Sequence, residues 1–214
     1  MPWSLVLVVA AGAAIGAVAG WAGRRLLARL RRGVGLRPPI LELSAAGVTA
    51  VGAGVTWPAP TIVLVGWAGV LLVVLGAVDI AVHRLPDALT LPAIPITAAL
   101  VLGTWRVAPS AGDPRTALVA AAVVTALFAG MAALAPRAMG RGDVKLVPTP
   151  ALLTGFVSVP AALWWLVLAF GIGAVIAVAG LVTRRLRPGS AIPFGPCLLA
   201  GGWLVVAWPG PFSV

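Results

Sequence analysis

Acidic residues are the scarcest chemistry in this chain, with five Asp and Glu against 15 Lys and Arg in 214 residues. Tyrosine is missing altogether, and histidine and cysteine occur once each, as His83 and Cys197. A single cysteine excludes an internal disulfide and any cysteine-based zinc cluster, and Cys197 reads as a small buried hydrophobe. Charged residues make up 9% of the chain, far below the roughly 25% usual in soluble domains. Hydrocarbon fills the space instead, with 61% hydrophobic residues and a mean hydropathy of +1.11. The apolar runs are long and continuous rather than alternating, which argues against a β-barrel and for an all-α, polytopic membrane bundle. A net charge of +10 would suggest nucleic acid in a soluble protein. Here the excess of cytosolic Lys and Arg in membrane proteins accounts for it, and no nucleic-acid partner is expected.

Crossing the hydrocarbon takes about 20 residues. Eight candidate spans follow, near 3–23, 40–57, 61–82, 88–106, 116–136, 143–158, 160–182 and 191–208. The breaks fall at helix punctuation: Trp57 to Pro60, Leu85 to Asp87, Pro109 to Pro114, Pro160, and Arg187 to Ser190. The sixth span is short and carries Pro148 and Pro150, so it is expected to bend or to fall short of a full crossing. The first apolar run has no basic residue before it and arginines after it, from Arg24 to Arg32. This is the pattern of an uncleaved helix with its N-terminus outside. In that topology only Arg106 and Arg115 of the 15 Lys and Arg lie externally. Residues 1–214 read as a single transmembrane domain with no Cys-rich loop. Trp3, Trp21, Trp57, Trp105, Trp164 and Trp208 fall near span ends, as an interfacial belt, and Gly12, Gly16 and Gly20 form a packing face.

Two of the rare acids are informative. Asp79 ends the third span and Asp143 opens the sixth, so both lie at the cytosolic face. A carboxylate this close to hydrocarbon costs up to about 2.5–3.5 kcal/mol near a helix centre and less toward its ends. Two carboxylates meeting at one depth cannot both ionise easily, and the pair then holds one proton. One ionised and one protonated carboxyl can activate a water and protonate a leaving amine, as in aspartic proteases. Gly140 and Gly142 remove side chains where another backbone must come close. The structural alternatives are that Asp143 caps its helix and that Asp79 pairs with His83 or Arg84.

With these residues in view, the chain resembles the prepilin peptidases, or type IV leader peptidases, of the Gly-x-Gly-Asp class of membrane aspartyl proteases. Three stretches carry the resemblance: DIAVHRLPDALTLP at 79–92, GRGDVKL at 140–146 and IPFGPCLLAG at 192–201. It implies that Asp79 and Asp143 are the catalytic pair and that Gly140 and Gly142 are the close-packing glycines. It also implies that Pro193, Phe194, Gly195 and Pro196 shape the substrate site, with Lys145 beside it. The implied reaction needs no cofactor and no metal. It removes a short basic leader from prepilin or pseudopilin-like substrates at the bacterial cytoplasmic membrane, serving a type IV pilus or protein secretion.

The chain departs from the family pattern in two places. Leu85-Pro86-Asp87 stands where Ile-Pro-Asn is usual, and Asp87 is expected to cap the fourth helix. Bifunctional members carry two Cys-x-x-Cys pairs in a cytosolic loop, whereas Arg24 to Pro39 is short, basic and free of cysteine. That departure tells against an N-methyltransferase activity and against a zinc site. His83 follows Asp79 at helical spacing, Lys145 is placed to pair with Asp143 or lipid phosphate, and Glu42 to meet a basic leader. The remaining arginines face anionic membrane lipids. Two other functions use the same residues. A proton-coupled transporter would want its acids near the midplane, and an inactive scaffold would not need both.

Overall fold

The computed structural model describes residues 3–29, 38–83, 85–135, 139–187, 190 and 192–212. Arg84, Arg137 and the basic stretch 30–37 lie outside them. The described residues contain helices and turns and no strand. In chain order the helices are α1 (Trp3–Arg29), α2 (Ile40–Thr56), α3 (Ile62–Val82), α4 (Asp87–Val107), α5 (Pro114–Leu134), α6 (Arg141–Leu146), α7 (Pro148–Val157), α8 (Val159–Val182) and α9 (Gly195–Ala207).

Seven of the eight expected spans match one helix each, with ends at the proline and glycine breaks. The helices α1, α3, α4, α5 and α8 are long and apolar enough to cross a membrane. The shorter apolar helices α2 and α9 have 17 and 13 residues. This is a multi-pass membrane bundle, and its sixth span is broken where the prolines led one to expect. There the chain divides into a six-residue α6 and a ten-residue α7. Pro148 and Pro150 bring no backbone N–H, so two rungs of the helical ladder are missing. The surviving rungs run through the joint: Val147 N–H donates to Asp143 O at 2.9 Å and Ala151 N–H to Val147 O at 3.1 Å.

At its far end α7 stops against the chain entering α5. Asp113 N–H donates to Phe156 O at 2.9 Å, and the Thr116 hydroxyl donates to Gly155 O at 2.7 Å. Both carbonyls would otherwise lack a partner in a place where water is scarce.

The glycines of α1 do what their spacing suggested. An added Cβ on Gly12 would lie 2.9 Å from Ala53 Cβ, and one on Gly20 2.8 Å from Glu42 Cα. On Gly16 it would collide with the Thr49 hydroxyl and the Ala45 carbonyl. The two backbones therefore run in direct contact, and the Thr49 hydroxyl lies 2.7 Å from both Gly12 O and Ala45 O. Elsewhere Trp67 Nε1 donates to Thr97 Oγ1 at 2.8 Å, joining α3 to α4. Buried Trp165 Nε1 donates to Leu198 O at 2.8 Å, joining α8 to α9. The six tryptophans assigned to the interface are all exposed.

Because the helices alternate in direction, the end of α3 and the starts of α4, α6 and α9 gather at one end of the bundle. Contacts confirm the gathering: Gly195 reaches Asp79, and Lys145 reaches Asp87.

Candidate active site

Asp79 lies on the last turn of α3 and is 5% exposed. The helix stops just after it because His83 turns into the left-handed region at φ 51, with its N–H donating to Asp79 O at 2.8 Å. The side chain of Asp79 faces α9, where Gly195 N–H donates to Asp79 Oδ2 at 3.1 Å. A Cβ on Gly195 would come within 2.7 Å of that same oxygen, so a glycine is what lets the donor approach. Pro196 follows and packs over Gly76 of α3.

Asp143 is the third residue of α6 and lies outside the long apolar helices. Its carboxylate turns back to accept the N–H of Gly140, the residue that caps the helix. The capping alternative weighed in the sequence is therefore not realised as such: Gly140 holds the cap position and Asp143 sits inside the first turn. Burial, and then the neighbouring Asp79 carboxylate, push the Asp143 carboxyl up to about 6, while the Gly140 N–H works in the opposite direction. The two acids, 64 positions apart in sequence, thus share one electrostatic site. Cys197 is buried within electrostatic range of both.

The two glycines of the second motif differ. A Cβ on Gly140 would lie 3.1 Å from Asp143 Oδ2, which is tight. On Gly142 the nearest atom would be Leu85 Cβ at 3.5 Å, an ordinary contact. Close packing therefore describes Gly140 and Gly195, and does not extend to Gly142.

Several assignments change. Lys145 does not pair with Asp143; its Nζ donates to both oxygens of Asp87, at 2.6 and 2.7 Å. Asp87 is accordingly not the cap of α4, a position that Pro86 occupies, but the first helical residue with its carboxylate turned to α6. Glu42 is taken by Arg24 at 2.6 Å, across the α1–α2 seam. His83 has left the helix and is exposed. Phe194 packs on α8, 5.0 Å from the Phe170 ring and over Gly173, while Pro193 precedes it in the approach to α9. Leu85 was missed: it is buried, and it touches the positions of both Gly142 and Gly195. Only its place in the Leu-Pro-Asp break hinted at that role.

The sequence pattern of the type IV leader peptidase family matches residues 66–178, a stretch that includes both acids and most of the helices around them. The chain belongs to the type IV leader peptidase family. Curated relatives include the prepilin leader peptidase/N-methyltransferase of Pseudomonas aeruginosa, 28% identical over 180 residues, or 82% of this chain and 59% of the relative. The protein of the same name from Stutzerimonas stutzeri is 27% identical over 177 residues, 80% of this chain and 58% of the relative. That from Burkholderia pseudomallei is 26% identical over 189 residues, 85% and 58%. The chain therefore spans under two thirds of the length of these members. No solved structure matches it. The Gly195 segment that donates to Asp79 lies beyond the stretch matched by the family pattern.

Proposed function

We propose that this chain is a membrane aspartyl endopeptidase that removes the short basic leader from prepilin or pseudopilin-like proteins. Cleavage takes place at the cytosolic face of the bacterial inner membrane, with Asp79 and Asp143 as the catalytic pair. One observation carries the reading: in a chain of this family Leu85 lies against both Gly195, the donor to Asp79, and Gly142, the neighbour of Asp143, which leaves the two carboxylates within electrostatic range. The names of the relatives, which include a leader peptidase activity, support the substrate class.

The division of labour follows from the surroundings. Asp79 accepts the Gly195 N–H, a donor suited to an ionised oxygen, and serves as the base that takes a proton from water. Asp143, raised to about 6, is the group of the pair that takes up a proton and hands it to the leaving amine. The pair titrates as a unit, so these roles exchange as the reaction turns over. Gly140, Gly142, Gly195 and Pro196 frame the carboxylates, and Pro193 and Phe194 fix the approach to α9. The N-methyltransferase named in the relatives belongs to proteins that are longer, and only the peptidase half is proposed for this chain.

Co-expression with a prepilin-type substrate tests the reading, with leader loss and the product's N-terminal mass read by mass spectrometry. Asp79→Asn and Asp143→Asn should each lower cleavage at least about 10³-fold, a typical scale for losing acid–base catalysis, while the protein still inserts in the membrane. Processing retained in both variants would overturn the assignment.

A further inference from the structure

The contact between Asp87 and Lys145 joins the two halves of the site by a route that bypasses the catalytic carboxylates. Lys145 stands two residues beyond Asp143 in α6, and Asp87 opens α4, 58 residues away in sequence. Both carboxylate oxygens are engaged, at 2.6 and 2.7 Å. The six-residue α6 is continued by its hydrogen-bond ladder into α7 at one end only, so a contact across the site gives the part that carries Asp143 a second anchor. Leu85, two positions before Asp87, already lies against Gly142 of α6 and Gly195 of α9. The segment 85–87 thus meets α6 twice, by a hydrophobic contact and by an ion pair.

We infer that Asp87 and Lys145 form a clamp that sets the approach of Asp143 to Asp79, and that both are positioning residues for the reaction. This rests on the peptidase reading above. Asp87 stands where the family resemblance expected Asn, and an Asn would offer Lys145 one oxygen and no charge.

Removing the clamp has a graded consequence. The pair is partly exposed, with side chains 42% and 55% accessible, so its loss should slow cleavage rather than stop it. A two- to fivefold fall, roughly, is the scale set by exposed ion pairs. Recovery by the exchanged pair is the signature that loosened packing alone does not produce.

The experiment compares initial rates of leader removal in proteoliposomes for wild type, Asp87→Ala, Lys145→Ala, the double variant, Asp87→Asn and the exchanged pair Asp87→Lys/Lys145→Asp. Melting temperatures are measured on every protein. Each alanine variant should lose two- to fivefold in kcat, by about the same amount, with KM unchanged. The double variant should be no slower than either single one, and the exchanged pair should recover at least half the wild-type rate. Asp87→Asn, which keeps one hydrogen bond, should fall between Asp87→Ala and wild type. Rates unchanged in both alanine variants would overturn the clamp, as would losses that multiply in the double variant with no recovery on exchange. A wild type that cleaves no prepilin-type substrate would instead overturn the peptidase reading, and the clamp's role with it.

Discussion

Adding one methyl group at residue 195 should disable the carboxylate pair, whereas adding one at residue 142 should not. In Gly195→Ala the new Cβ would lie 2.7 Å from Asp79 Oδ2 and 3.4 Å from Leu85 Cδ1. Asp79 is buried, 5% exposed, so it has little room to give way. Relief therefore requires α9 to withdraw or Asp79 to rotate, and either movement lengthens the 3.1 Å bond from Gly195 N–H. Hydrogen bonds to charged acceptors are worth about 1.5–3 kcal/mol, which corresponds to a fall of roughly 10- to 150-fold in rate. In Gly142→Ala the nearest atom is Leu85 Cβ at 3.5 Å, which is ordinary contact. The rate should stay within about twofold of wild type, and the helix should gain about 0.5–1 kcal/mol from replacing glycine. The assay is the initial rate of leader removal by purified protein in proteoliposomes, paired with thermal melting to separate lost chemistry from lost fold. A wild-type rate in Gly195→Ala would refute the reasoning, as would a Gly142→Ala as damaged as Gly195→Ala.

Two further outcomes are expected. The Asp143 carboxyl stands at about 6 in the folded protein against an ordinary 3.8, so the folded state binds the proton more tightly than the unfolded one. Its contribution to stability is complete below the ordinary value and is lost as pH rises through about 6. Asp143→Asn cannot ionise and should therefore raise the melting temperature at pH 8 while leaving it unchanged at pH 4. The gain is about 1–2 kcal/mol once partial solvent screening is discounted, and equal gains at both pH values would contradict it. Gly16→Ala should separate α1 from α2, because its Cβ meets the Thr49 hydroxyl and the Ala45 carbonyl. Overpacking of this kind costs about 1–3 kcal/mol, read as a lower melting temperature in detergent, and an unaltered value would mean the seam is looser than described.

Local chemistry explains what was legible in the sequence. Hydrocarbon runs closed by Pro and Gly fixed seven spans, because helix ends at a membrane surface must be marked in the chain itself. Asp79 and Asp143 stood out because acids are rare here and because alternating helices carry both to one end. The glycines of α1 were readable from their spacing alone. The pairs between distant segments were not. Lys145 chose Asp87 over the nearer Asp143 because Asp143 turns inward to Gly140 and Asp79, which no local pattern records. Glu42 met Arg24 through the α1–α2 contact, a consequence of how closely those backbones approach. Phe194 sits in a motif that suggested the substrate site, yet its ring is held by Phe170 and Gly173 of α8. Leu85 is an apolar residue in an apolar chain, and only its neighbours give it a role.

The link from Asp79 to Gly195 crosses 116 positions of sequence, from α3 to α9. Ribosomes add about 5–20 residues per second, so roughly 6 to 23 seconds separate the synthesis of the two groups. During that interval α3 is in place and Asp143 follows, yet the donor that orients Asp79 has not been made. A nascent or truncated chain would carry both acids and still lack their alignment. On the proposed peptidase reading, competence therefore waits for α9, and the order of synthesis itself keeps a chain that has not reached it silent in the membrane that receives it.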